Sequence, residues 1–234
     1  MSLRLYFHPF ASFCWKALIA LYENDTPFEP IVVDLHDEAS SAAFRAVWPM
    51  AKMPVLRDEA RQHTVVESTT VVEYLDAHYP GGTRFLPADA DRAWQTRMWD
   101  RFYDHYVQEP MQKIVIDRLR PAGKNDSHGV EQARAQLIEA YGVLEKEMAS
   151  KNWAMGSDFT LADCAAAAAL FYGNTVVPFD EKHKNLPAFL DRLMARPSFA
   201  RVLKEAQPYA ALFPMEKKPR FPAARPAQHV GQRR

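Results

Sequence analysis

Cysteine is scarce in this chain. Its 234 residues hold only Cys14 and Cys164, too few for a disulfide framework or a cysteine-rich zinc site. A reducing cytoplasm is the expected home. Net charge is absent as well: 29 lysines and arginines balance 29 aspartates and glutamates, so no global field draws the chain to nucleic acid or an anionic membrane. Long apolar runs are missing. The nearest, residues 165–171, is far short of a bilayer span, and no signal-peptide core follows Met1. No histidines stand in His-Glu-x-x-His spacing, and no metal is expected. Hydrophobic residues, at 48%, are ample for a chain of this length to bury a core.

Two periodicities organise the first part of the chain. Leu3, Leu5 and Phe7 alternate as a strand ended by His8-Pro9, and Trp15, Leu18, Ile19 and Tyr22 then mark one face of a helix. Asn24-Asp25-Thr26-Pro27 stops that helix. A strand over 28–34 and a short helix over 40–47 follow. Lys52-Met53-Pro54-Val55-Leu56 opens a third strand, and Thr64-Val65-Val66 forms a fourth across a polar turn. Val71, Val72 and Leu75 give a further helix that ends at Pro80-Gly81-Gly82. The order is β-α-β-α-β-β-α. Beyond Pro87 only helical patterns appear, over 91–117, 128–150, 161–174 and 186–194. The expected organisation is therefore an α/β domain over 1–82 and an all-helical domain over 88–213. Residues 214–234 carry Pro219, Pro222, Pro226 and six lysines and arginines, and read as a disordered, solvated tail.

Three motifs give this order a family resemblance. They are Trp48-Pro49-Met50-Ala51-Lys52-Met53-Pro54-Val55-Leu56, then Val66-Glu67-Ser68-Thr69-Thr70, then Phe159-Thr160-Leu161-Ala162-Asp163 with Arg196-Pro197 later. In this order and spacing the chain resembles the glutathione transferases, whose first domain is thioredoxin-like and whose C-terminal domain is all-helical. The resemblance implies a cis bond before Pro54, which would turn the main chain of Met53 towards the cysteinyl unit of glutathione as an added strand. It places the γ-glutamyl head at Glu67 and Ser68, where a helix N-terminus and a hydroxyl suit its carboxylate and Glu67 suits its ammonium. Ser68 could instead simply cap the helix. Lys52 is in reach of a glutathione carboxylate. Thr160 and Asp163 form a capping box that serves folding rather than chemistry.

The sulfur-activating group should follow the first strand, where Ser12 and Cys14 both stand. Lowering a thiol pKa from about 8.5 into the neutral range takes ~2 kcal/mol, which a serine hydroxyl and a helix N-terminus together supply. Cys14 would instead support a mixed disulfide and a thiol-disulfide reductase, unless it faces the core. Ser12 is preferred. Phe10, Trp99, Tyr103 and Tyr106 are the expected walls of a pocket for a small hydrophobic electrophile, Tyr103 first among them, although aromatics at helical spacing more often pack a core. The resemblance also implies a homodimer. Glutathione-dependent isomerisation, reductive dehalogenation and a non-catalytic glutathione-binding scaffold are the competing readings.

Overall fold

The computed structural model describes residues 2–222. Strand β1 (Leu3–Phe7) buries every second side chain, as a half-buried strand must. It pairs in parallel with β2 (Glu29–Val32) and antiparallel with β3 (Val55–Asp58), which forms a hairpin with β4 (His63–Val66), giving the order β2-β1-β3-β4. Helices α1 (Ser12–Glu23), α2 (Glu38–Val47) and α3 (Ser68–His78) complete this part. Asp37 caps α2 by accepting from the Ser40 N–H.

A second, helical part follows: α4 (Ala90–Phe102), a π-helical turn (Tyr103–Gln108), α5 (Glu109–Asp117), α6 (Ser127–Glu147), α7 (Leu161–Val176), α8 (Asn185–Ala195) and α9 (Pro197–Ala206). The fold is a thioredoxin-like sheet with its helices followed by a helical domain, as the motif order implied. Helix α9 was not foreseen. The helical patterns of the sequence stop at 194, yet proline at the first helical position lacks only an N–H that would be unpaired anyway, so Pro197 starts a helix.

One apolar core runs through both parts. Helix α1 is covered by α3, α7 and α9, and everything from Cys14 to Leu21 is buried. Trp15 is its hub, with ring centroids 4.7 Å from Tyr172, 5.3 Å from Phe171 and 5.7 Å from Phe199. Its indole N–H donates to the Pro9 carbonyl at 2.8 Å, which supplies the partner a buried tryptophan needs. Thr160 and Asp163 form the expected capping box at the start of α7. Asp163 also accepts from the Ala154 N–H at 2.7 Å, although burial pushes its carboxyl up to about 7.

The C-terminal segment departs from the sequence reading. Residues 214–222 are ordered against the body: the Phe221 ring lies 5.4 Å from Phe171, Pro219 is buried, and the Lys218 ammonium donates to the Phe213 carbonyl. Met215 and Phe221 pack against the core from a stretch whose charge and proline content suggested solvent. The rest of the expected tail, 223–234, lies outside the described residues.

Polar contacts also join the two parts. Glu23, at the end of α1, accepts from Arg196 Nε at 2.9 Å and Ser198 Oγ at 2.6 Å. Burial acts to raise its pKa, but the bonds from Arg196 and Ser198 outweigh it and hold the carboxyl below its ordinary 4.5. A depressed folded pKa gives stability that is present above the unfolded value and lost as pH falls through the folded one. Glu23→Gln should therefore cost about 1–3 kcal/mol at pH 7 and flatten the acid limb below pH ~4.5. Urea midpoints measured at pH 7 and pH 4 check this. Acid limbs of equal slope in parent and variant would contradict it.

Candidate functional site

Ser12 is the first residue of α1 and is 8% exposed. The preceding loop is tied down from both sides. The Ala11 N–H donates to the His8 carbonyl at 3.0 Å, the Phe10 N–H donates to His8 Nδ1 at 3.1 Å, and the Tyr172 hydroxyl donates to the Phe10 carbonyl at 2.9 Å. Burial lowers the His8 pKa, with only a partial counter-effect from Asp34. Among the described residues no side chain caps α1, and the positive end of its dipole faces the loop.

Ser12 opens onto a cleft of about 190 Å³ between the first loop, α5 and the C-terminal segment. Phe10, Met111, Val115, Tyr172 and Phe213 make its lining chiefly apolar. A larger hollow of about 680 Å³ lies between α8, α9 and Phe221, but it lacks Ser12 and adjoins the undescribed end of the chain.

The four expected wall aromatics separate. Phe10 lines the cleft. Tyr103, the first choice, is 1% exposed inside the helical core, where burial raises its pKa well above the ordinary value. Trp99 packs on Phe102 with the Lys151 ammonium 5.3 Å above its ring, and Tyr106 stacks on Phe102 while half its surface faces solvent. None of these three lines the cleft. The residues of this helical stretch that do, Met111, Gln112, Val115 and Ile116, come later, beyond the π turn. The π turn at 103–108 inserts an extra residue per turn there, so a 3.6-residue period read from Asp91 loses phase before it reaches them.

Cys14 is likewise corrected. It is 0% exposed within the buried stretch of α1, and burial pushes its thiol up to about 12. A covered thiol that stays protonated is a small core residue, not a nucleophile.

The loop before β3 has a cis Met53–Pro54 bond, as the motif implied. Among the described residues no hydrogen bond uses the main chain of Met53. Lys52 is exposed beside it. Across the hairpin, Glu67 has φ +66° and precedes α3, a left-handed conformation uncommon for glutamate and frequent at ligand-holding turns. Ser68 does not cap α3. It is the first helical residue, buried, and among the described residues no side chain bonds the N–H groups of that turn.

Behind Ser68 lies a charged cluster that sequence reading missed. Lys16 is 1% exposed, and its ammonium stands 2.7 Å from Asp100 and 2.8 Å from Asp104. It also donates to Thr69 Oγ1 at 2.9 Å, and Thr69 in turn donates to Asp100 at 2.8 Å. Burial, reinforced by Asp100, raises the Asp104 pKa against the pull of Lys16. Nothing in periodicity announces a lysine on a buried helix face.

The model of the glutathione S-transferase N-terminal domain matches residues 5–83, and that of the C-terminal domain matches 102–197. Glutathione S-transferase GstB of Escherichia coli is 25% identical, over 80% of this chain and 91% of its own. A glutathione S-transferase from Methylobacterium radiotolerans, crystallised with glutathione sulfonate, is 27% identical with a TM-score of 0.73, covering 86% of this chain and 93% of its own. One from Methylobacillus flagellatus, with glutathione bound, has a TM-score of 0.77 at 23% identity, covering 86% and 98%; it supports the fold. With the two domain models matching in order on either side of the link at 84–101, the chain belongs to the glutathione S-transferase family of enzymes.

Proposed function

We propose that this protein binds glutathione across Met53 and Ser68 and holds its sulfur, as a thiolate, against Ser12 for attack on small hydrophobic electrophiles. The observation that carries this reading is the position of Ser12: a hydroxyl on the first residue of an uncapped helix, opening onto a mainly apolar cleft. The thiol proton leaves to solvent. The Ser12 hydroxyl and the helix N-terminus stabilise the anion. The sulfur lone pair then forms a bond to carbon, and a leaving group departs with its electron pair or, in an addition, the acceptor takes a proton from water. The apolar walls exclude water and hold the electrophile near the sulfur.

The unpaired main chain of Met53 suits the cysteinyl unit of the tripeptide as an added strand. The free N–H groups and Ser68 hydroxyl at the start of α3 suit the γ-glutamyl carboxylate, and Glu67 suits its ammonium. Lys52 is placed to meet a second carboxylate. The same thiolate could serve isomerisation or dehalogenation, but a disulfide reductase built on Cys14 has no accessible thiol to use.

Titration calorimetry tests the binding half directly. Glutathione should bind at submillimolar concentration, and Ser68→Ala should weaken it roughly tenfold, about 1.4 kcal/mol. Cysteinylglycine, which lacks the γ-glutamyl head, should bind far less tightly than the tripeptide. Equal affinity for dipeptide and tripeptide, or no uptake of glutathione at millimolar levels, would overturn the reading.

A further inference from the structure

Ser12 has one side-chain partner among the described residues. Gln108, the last residue of the π turn and 2% exposed, donates from Nε2 to Ser12 Oγ at 2.5 Å. The other end of the same carboxamide, Oε1, is buried without any partner. The contact to Ser12 is thus the only hydrogen bond this side chain makes among those residues.

A serine hydroxyl carries one donor and two acceptor sites, and its rotor turns to suit its surroundings. With an N–H pointed at its oxygen, the Ser12 proton cannot be directed at Gln108 and must point away from it. The reverse arrangement, with Oε1 against Ser12, would draw that proton into the protein and leave none for a ligand. The two orientations of one amide therefore have opposite consequences for an anion in the cleft.

We infer that Gln108 is a positioning residue, which holds the Ser12 hydroxyl as a donor aimed into the cleft and so sets how readily a bound thiol ionises there. This rests on the proposed contact between Ser12 and the glutathione sulfur. Gln108 sits on the helical part and Ser12 on the sheet part, so the basicity of the sulfur is set from across the boundary between them.

The test is a pH titration of the thiolate by ultraviolet difference absorbance, with each enzyme saturated by glutathione. Gln108→Met, of similar volume, should raise the titration midpoint by about one pH unit, a tenfold loss of thiolate well below the midpoint. Gln108→Glu should raise it at least as far, because a carboxylate accepts the Ser12 proton. The methionine variant carries the test if glutamate prevents folding, which circular dichroism reports. Added to Ser12→Ala, Gln108→Met should move the midpoint no further. A parental midpoint in Gln108→Met, or an equal further rise in the Ser12→Ala background, would overturn the positioning role while leaving the Ser12 reading in place. A parental midpoint in Ser12→Ala would overturn both.

Discussion

Ser12→Ala is expected to lower kcat/KM for conjugation of a chloronitroarene roughly a hundredfold, a loss within the range for removing one preorganised hydrogen-bond donor from a developing or held anion. The reason lies in where the hydroxyl stands. It is buried enough for a charge-assisted bond to keep its strength, yet it borders the cleft. Losing the bond should raise the pKa of bound glutathione by about one to two pH units and deplete the thiolate at neutral pH. Glutathione affinity, which the proposed reading sets mainly at Met53 and Ser68, should change little. Cys14→Ala supplies the contrast: a small core substitution costing about 1 kcal/mol of stability, with conjugation within about twofold of the parent. Stopped-flow rates and thiolate titration on both variants decide the matter. Activity lost in the alanine variant at 14 and kept in that at 12 would reverse the assignment.

The second large effect concerns Lys16. Lys16→Met should lower unfolding stability by about 3–5 kcal/mol, the usual cost of removing one partner from a buried ion cluster. Asp100, 0% exposed, and Asp104 would be left facing each other without the ammonium between them. The loss comes from stranded carboxylates more than from a missing attraction, so the triple variant Lys16→Met/Asp100→Asn/Asp104→Asn should recover most of it. Urea denaturation of the single and triple variants is the measurement. A loss below about 1 kcal/mol in the single variant would mean the cluster is hydrated and far weaker than its burial implies. Thr69 bonds to this cluster and adjoins Ser68, so the single variant should also bind glutathione less tightly.

What could be read from sequence follows from the range of the interactions involved. The strands and helices of the first part rest on local alternation and on turn residues, so their succession along the chain was legible; the order of the strands within the sheet, which places β1 between β2 and β3, was not. The cis bond before Pro54 and the capping box at Thr160 and Asp163 were legible because each is a short motif with one geometry. The pocket was not. Phe10 could be named because it sits beside Ser12 in the chain, but Tyr172 and Phe213 reach the same cleft from 162 and 203 positions away by chain number, and periodicity carries no such information. Cys14 was ambiguous for a different reason: two residues after Ser12, it turns about 200° around the helix, from the site into the core, and composition does not say which face is which. The buried Lys16 was invisible, since its two anions come from a helix some ninety residues later.

The widened turn at Tyr103–Gln108 governs more than its own six residues. Each residue of an α-helix advances the screw by about 100°, so one surplus residue re-clocks everything downstream of it relative to α4. Gln108, Met111 and Val115 meet the first loop only in that shifted phase. Excising a single residue there would restore a regular spiral and swing all three away together. A one-codon insertion or deletion could therefore make or erase the meeting of the two halves at this cleft, with no change to any of the side chains that line it.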